Sequence, residues 1–537
     1  MAQQQQAASI AAPGFFGLNL QESSISLSSG FALEAYNCII DRYGRIGARR
    51  GWVPVNATNV DLGSNNIEFM FEVVSAGSTT LISGGNNKLF TGTTTLTTKT
   101  VRAADNSGDI TYNITGNHWQ AAALPYGDGV DAKVHAYLVQ AAHAPLIYHE
   151  LPTSGGSPHA HNSGTFGFVR LGDAGTLPTG YTTSDFKPNC VLAAYGRIWM
   201  ADIAGDRQTV YFSRLLDGSD FSGGDSGSLS LNAVFPNNDQ IVGLAAHNGF
   251  LIIFGRNNIA IYGNPIDATE LVLADYIPNV GCIARDTIQN TGTDIIFLSD
   301  SGVRSLQRVI QEKSLPMRDI SKNVRDDLVD NVNSESALQI KAIYYDRDAF
   351  YLLALPTTKW VYCFDMRTPL QDGSARATIW TNMEPHAFCV NASKELLIGK
   401  AGYVAKYFGH LDNTATYRFK YFTNYFDFDT PTKEKILKQI GMVLIGGSNQ
   451  EIAIKWGFDY NENYSAVTKK LDTAVAYEYN IGEYNIAEYS DGIVLDKFKS
   501  HVGGKGPIMQ VGLEAEINGN PLSIQRIDIY IKQGKTV

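Results

Sequence analysis

Apolar and polar residues alternate along much of this chain with a period of two, the spacing that sends successive side chains to opposite faces of a β-strand. Between about residue 79 and residue 408 the alternation comes in seven copies of one phrase: an apolar run, a polar or glycine turn, and a second apolar run. The copies cover residues 80–91, 135–149, 197–213, 250–262, 294–306, 350–364 and 395–408. Their centres lie roughly 40 to 65 residues apart, close to one four-stranded propeller blade each. In the fourth copy, Phe250-Leu251-Ile252-Ile253-Phe254 and Ile259-Ala260-Ile261-Tyr262 flank Gly255-Arg256-Asn257-Asn258. Gly and Asn tolerate the positive φ of a tight hairpin, and the flanking aliphatic and aromatic residues suit a strand packed on both faces. The expectation is an all-β chain whose middle is a β-propeller of six to eight blades. A series of ordinary β-sandwiches is the competing reading, because those also repeat strands at short intervals, and no copy carries a Trp-Asp signature.

Near residue 411 the phrase gives way to longer alternating runs rich in Tyr and Phe, such as residues 417–428 and 522–531. Strict alternation predicts half-buried strands, hence a C-terminal β-sandwich or barrel over residues 411–537. Residues 61–410 are assigned to the propeller, and residues 1–60 to an N-terminal arm with docking strands. One helix is predicted, over residues 321–329, with Ser321 as its cap and Val324 and Leu328 on one apolar stripe.

Composition adds limits. With 44% hydrophobic and 18% charged residues, the chain can bury a large core. A propeller absorbs roughly 350 residues as one closed unit, so the length does not require four domains. The longest apolar run, residues 349–355, is too short to cross a bilayer. No Lys or Arg precedes Arg42, so the charged start of a signal peptide is missing. Five widely spaced cysteines, Cys38, Cys190, Cys282, Cys363 and Cys389, read as buried thiols of a protein made in a reducing cytoplasm.

The search for chemistry yields mainly rejections. His159-Ala160-His161, with His149-Glu150 upstream, sits in a Gly/Ser/Pro loop without the helical spacing of a His-Glu-x-x-His zinc site. Solvated loop histidines are the expectation. Asp459-Tyr460-Asn461-Glu462-Asn463 begins like a calcium loop, but Tyr464 stands where the glycine is needed and Lys470 where the bidentate Glu belongs. Gly503-Gly504-Lys505-Gly506 lacks the first glycine and the final hydroxyl of a phosphate loop. The Ser-x-Asp-x-Gly-x-x-Trp turns of glycosidase propellers are absent. No catalytic residue, metal or cofactor is expected, and the chain is read as not an enzyme.

Charge distribution is more informative. A formal balance of −10 argues against a protein that grips nucleic acid with its whole surface. Asp217, Asp220 and Asp225 share one Gly/Ser loop with no base beside them, which suits a solvated loop or a channel or partner surface. Arg42, Arg45, Arg49 and Arg50 crowd together beside Tyr43 and Trp52. That patch suits a docking surface for an acidic neighbour or a solvated strand face.

Several segments resemble the tail nozzle proteins of short-tailed bacteriophages, the family that includes the tail hub or packaged-DNA stabilisation protein. They are Ala35-Tyr36-Asn37, Gly44-Arg45-Ile46, Arg49-Arg50-Gly51-Trp52, Val191-Leu192-Ala193-Ala194-Tyr195-Gly196-Arg197-Ile198-Trp199, Val210-Tyr211-Phe212-Ser213, Ile241-Val242-Gly243-Leu244, Gly281-Cys282-Ile283-Ala284, Asp319-Ile320-Ser321 and a tyrosine ladder at residues 479–489. The resemblance implies a homohexameric ring below the portal and its adaptor, around the DNA exit channel. It implies a structural virion protein that retains and then releases the genome. The implied partners are further copies of itself, a tail adaptor or portal-side ring, tail fibres or a tail tip, and transient non-specific contact with DNA, with no membrane span. The implied location is the virion tail, after synthesis in the host cytoplasm. In such a channel an acidic wall would let phosphates slide, which makes Asp217, Asp220 and Asp225 candidate lining residues. The alternative is a carbohydrate-binding or carbohydrate-active propeller, since a closed propeller offers a central funnel for ligands.

Overall fold

The computed structural model describes residues 5–75, 77–126, 133–157, 161–312, 319–461, 463–471 and 495–536. The tyrosine ladder at 479–489 and His159 lie outside these residues. The described chain is all-β, a propeller joined to a β-sandwich. Six complete blades, at residues 67–99, 101–170, 190–230, 241–278, 341–381 and 387–407, and a seventh, three-stranded sheet at residues 289–305 form the ring. Each of the seven repeated phrases is the hairpin made by the second and third strands counted outward from the axis. The first strands, among them Ile67–Ser75, Cys190–Ala194 and Ile241–His247, pack beside one another around the axis. Separate apolar cores fill the seams between blades, as with Trp199, Phe212, Leu251 and Ile253 between the third and fourth.

The ring closes with a strand from far upstream. Trp52–Pro54 adds to Tyr403–Tyr407 as the outermost strand of the last blade, with Tyr407 opposite Trp52. Residues 5–48 build the sandwich: Gln5–Ala11 lies along Leu522–Thr536, Ile46–Ala48 pairs with the same strand, and Phe31–Tyr36 pairs with Tyr417–Thr423. Residues 5–54 are therefore woven into both units as paired strands, so the assignment of residues 1–60 to an arm is corrected over that range.

The sandwich consists of a seven-stranded sheet facing one half of a ten-stranded sheet. Phe419, Tyr421, Ile452, Ile454 and Leu513 on one side share a core with Ile440, Met442, Leu444, Ile527 and Ile529 on the other. The long strands keep their period of two except where a bulge shifts it. In Lys433–Gly446 the buried side chains step from Lys435 and Leu437 to Ile440, Met442 and Leu444, and the pairing register slips between Leu437 and Gln439. The ten-stranded sheet begins as the blade at residues 341–381 and runs through Phe31–Tyr36 into the sandwich, so one sheet spans both units.

The predicted helix starts later than expected. Lys322–Val324 form a 3-10 turn, and the α-helix runs Arg325–Asn333 with Leu328 and Val332 buried. Ser321 makes no side-chain cap; its hydroxyl accepts the Val303 amide at 2.9 Å, tying the helix entry to the three-stranded sheet. All five cysteines are buried and unpaired. Among the described residues no helix is long and apolar enough to cross a membrane.

Candidate functional site

The four arginines do not form one surface. Arg49 is fully buried, at 0% exposure. Its five donors are all taken: Nε donates to the Asn37 side-chain oxygen at 2.9 Å, Nη1 to the Arg50 carbonyl at 2.9 Å and Asp412 Oδ1 at 2.8 Å, and Nη2 to the Thr381 carbonyl at 3.2 Å and Asp412 Oδ2 at 2.7 Å. The guanidinium lies 4.1 Å from the centre of the Tyr417 ring. Asn37 sits at φ 56°, a left-handed conformation that Asn tolerates, where the chain crosses from one sheet of the sandwich to the other. Its amide reaches Thr381 at 2.9 Å and the Arg418 carbonyl at 2.7 Å. Arg49 thus belongs to the joint between propeller and sandwich and is not a docking residue. Arg42 is exposed over Tyr43, Arg45 pairs with Asp41 at 2.6 Å, and the half-buried Arg50 donates its amide to the Tyr407 hydroxyl.

The acidic loop runs from Asp206–Phe212 to Gly227–Ser230, the outermost strand of the third blade, and so lies away from the propeller axis. It is not without bases. Asp225 pairs with the buried Arg197, and Asp220 accepts from the Thr176 hydroxyl and from the Ser222 and Gly223 amides at 3.1 and 2.9 Å. Partial burial opposes ionisation of both, but these donors outweigh it and hold both carboxyls below their ordinary range. Asp217 closes a turn on Ser219, and the adjacent Gly218 packs against Tyr137 of the second blade, where a Cβ would come within 2.6 Å of the phenol.

A charged hub bridges the propeller near its axis. Arg285 donates to the carbonyls of Asn189 and, at 3.0 Å, His118, while pairing with Asp286 at 2.8 Å. Lys341 pairs with the same Asp286, and His118 approaches Glu68 at 3.9 Å. These residues come from or lie beside the inner strands of several blades, so the hub ties opposite sides of the ring together. Burial opposes charge on Asp286, but Arg285 and Lys341 overcome it and hold its carboxyl well below the usual range. Burial, with Lys341 near, pushes His118 down, and burial does the same to His386. Beside the hub opens a cleft of about 320 Å³ lined by Lys187, Asn189, Asp202, Arg207 and Arg285.

The histidines correct a third expectation. His161 is no solvated loop residue: its ring meets His135 at 4.7 Å and His149 at 5.0 Å between centroids. His135 and His149 begin and end the second repeated phrase, and Ala136 opposite Tyr148 makes them facing residues at the open end of that hairpin. A hairpin flanked by two histidines is the sequence signal for this pair. One ring nitrogen from each of the three lies within 4.8 Å of the others. Tyr126 stacks on His135 at 4.6 Å with its plane 12° from the imidazole.

The fold and these clusters define a β-propeller protein with a β-sandwich built into it. No family model and no curated protein sequence matches the chain. Among solved structures it is similar to the WD40 domain of Pan2 from Neurospora crassa, with 9% identity and a TM-score of 0.38 over 67% of this chain and 96% of that one. It is also similar to PorZ, a surface component of the type-IX secretion system of Porphyromonas gingivalis, with 11% identity and a TM-score of 0.32 over 66% of this chain and 37% of that one.

Proposed function

We propose that the chain is a structural virion protein, the tail nozzle of a short-tailed bacteriophage. It is one subunit of a homohexameric ring that surrounds the DNA exit channel below the portal and its adaptor, retaining the genome and then letting it pass. The observation that carries this reading is the ten-stranded sheet that runs from a blade into the sandwich, joined where Tyr36 pairs with Ile379 and the Asn37 amide donates to the Ile379 carbonyl at 2.7 Å. A subunit of a ring under internal pressure has use for such a joint. The segments that resemble the family, Ala35-Tyr36-Asn37 and Arg49-Arg50-Gly51-Trp52, supply the residues of that joint. Arg285 reaches the Asn189 and His118 carbonyls, which precede the inner strands of two other blades, and this contact favours a DNA passage between subunits over one through the propeller. Native mass measurement of the purified 58.6 kDa chain, alone and with a portal-side ring, tests the proposal. A sixfold multiple is expected; a monomer under every condition ends it.

The cleft beside Arg285 favours a second reading, a carbohydrate-binding propeller, because Asn189, Asp202, Arg207 and Arg285 converge on a space otherwise walled by apolar residues such as Ile241, Val242 and Leu338. A glycan-binding screen decides it: recognition lost on Arg207→Ala supports this reading, and an empty screen removes it.

A further inference from the structure

We propose that His135, His149 and His161 form a binding site for one divalent transition-metal ion of the zinc type. The site pins the loop that carries His161 to the hairpin of the second blade. Nδ1 of His149 and Nδ1 of His161 stand 3.2 Å apart, and the Glu150 carbonyl oxygen lies 2.7 and 2.9 Å from them. Two imidazole nitrogens and a carbonyl oxygen at such separations repel through their lone pairs unless a positive centre sits among them. Protons on the rings supply one solution and a metal ion supplies the other. For an ion with ligands at about 2.0–2.1 Å, neighbouring ligand atoms stand about 2.9 Å apart in octahedral and about 3.3 Å in tetrahedral geometry, which matches this triangle. His135 completes the set within 4.8 Å, so a side-chain rotation of roughly 1.5 Å closes a tetrahedral site.

The surroundings suit a cation and hold the rings in place. Tyr126 stacks on His135 and meets His161 edge-on at 5.2 Å, which limits the tilt of both imidazoles and leaves in-plane sliding as the motion that brings His135 to the ion. The Lys133 ammonium is neutralised by the Glu150 carboxylate and donates to the His161 carbonyl at 2.5 Å. Asp217 adds negative charge at this end of the blade, where it acts on Tyr126 and Tyr137. Imidazole donors favour zinc, copper, nickel or cobalt over magnesium or calcium. A carbonyl as the further donor makes the site a structural clamp.

The test uses the full chain, stripped with a chelator and titrated with Zn2+, and in parallel with Co2+. About one ion per chain is expected, with the visible absorption of tetrahedral cobalt and a metal-dependent rise in unfolding temperature. His161→Ala and His149→Gln should each weaken binding about 100-fold or more, while far-ultraviolet circular dichroism stays that of the wild type. A folded wild type that takes up no Zn2+ at micromolar concentration overturns the proposal and leaves a cluster of hydrogen-bonded rings. Binding that survives both substitutions overturns it as well, by placing the ion elsewhere. Failure of the chain to form a ring leaves this experiment unaffected, since it reads the isolated subunit.

Discussion

At the scale of single residues, burial decides what a charge is for. Arg49 and Arg45 stand four positions apart in one basic run, yet Arg49 has five satisfied donors at 0% exposure and Arg45 a partly exposed ion pair. Removing the partner of a buried charge leaves it uncompensated, so Asp412→Ala should cost about 3–5 kcal/mol in denaturant unfolding, whereas Arg45→Ala should cost about 0–1 kcal/mol. Equal effects would show that the joint does not depend on the Arg49 pair. The hub predicts a pH profile. The Asp286 carboxyl is held below its unfolded value, so its contribution is complete above about pH 4 and is lost as the pH falls from there through the folded value. His118 and His386 are pushed below their unfolded value near 6.5, so the unfolded chain binds protons first and stability drops as the pH falls beneath about 6.5. Two declines in unfolding free energy are expected, one beginning near pH 6.5 and one near pH 4; Asp286→Asn should flatten the second and, by removing an anion that favours protonated His118, deepen the first.

At the scale of elements, closure of the propeller rests on one three-residue strand. Trp52 is buried with Leu396, Ile398 and Trp380, and the Lys400 ammonium sits 4.7 Å from its ring centre. Trp52→Ala should therefore cost about 3–5 kcal/mol and loosen the last blade, read as faster amide exchange across residues 396–407. Gly51→Ala should act on the same strand from the other side, because a Cβ there would lie 1.9 Å from the Leu411 carbonyl oxygen. Unchanged exchange in both variants would show that the blade holds without its closing strand. The hairpins themselves were legible in the sequence, since an alternating run, a turn and a second run are local and both strands are buried. What joins them was not legible. The pairing of residues 5–48 with strands some 400 to 500 positions away leaves only a short alternating pattern, which cannot name its partner. The same limit hid Arg49, whose carboxylate lies 363 residues downstream; His135 was within reach, because the legible hairpin already aligns it with His149, and only the approach of His161 from the following loop was not.

At the scale of the whole molecule, a net charge of −10 disfavours tight binding of a polyanion, and Arg285 crosses between the inner ends of several blades. If six copies enclose the exit channel, its wall is the surface that the copies turn inward, and acidic residues there would repel phosphate and keep contacts brief. The three aspartates of the third-blade loop are not equivalent for testing this. Asp225 neutralises the buried Arg197, and Asp220 accepts two backbone amides and the Thr176 hydroxyl, so lysine at either position would disturb the fold before it changed the channel. Among the described residues Asp217 accepts from the Ser219 amide and hydroxyl in its own turn, and of the three aspartates its substitution removes charge with the least structural change. Asp217→Lys replaces six negative charges by six positive ones in a hexamer. Particles carrying it should assemble normally yet release DNA more slowly, with the delay largest at low salt and shrinking as salt rises, because screening shortens the reach of each charge to about 10 Å at 0.1 M. Release at the wild-type rate in low salt would remove Asp217 from the channel wall. A delay that ignored salt would assign the effect to altered packing against Tyr137.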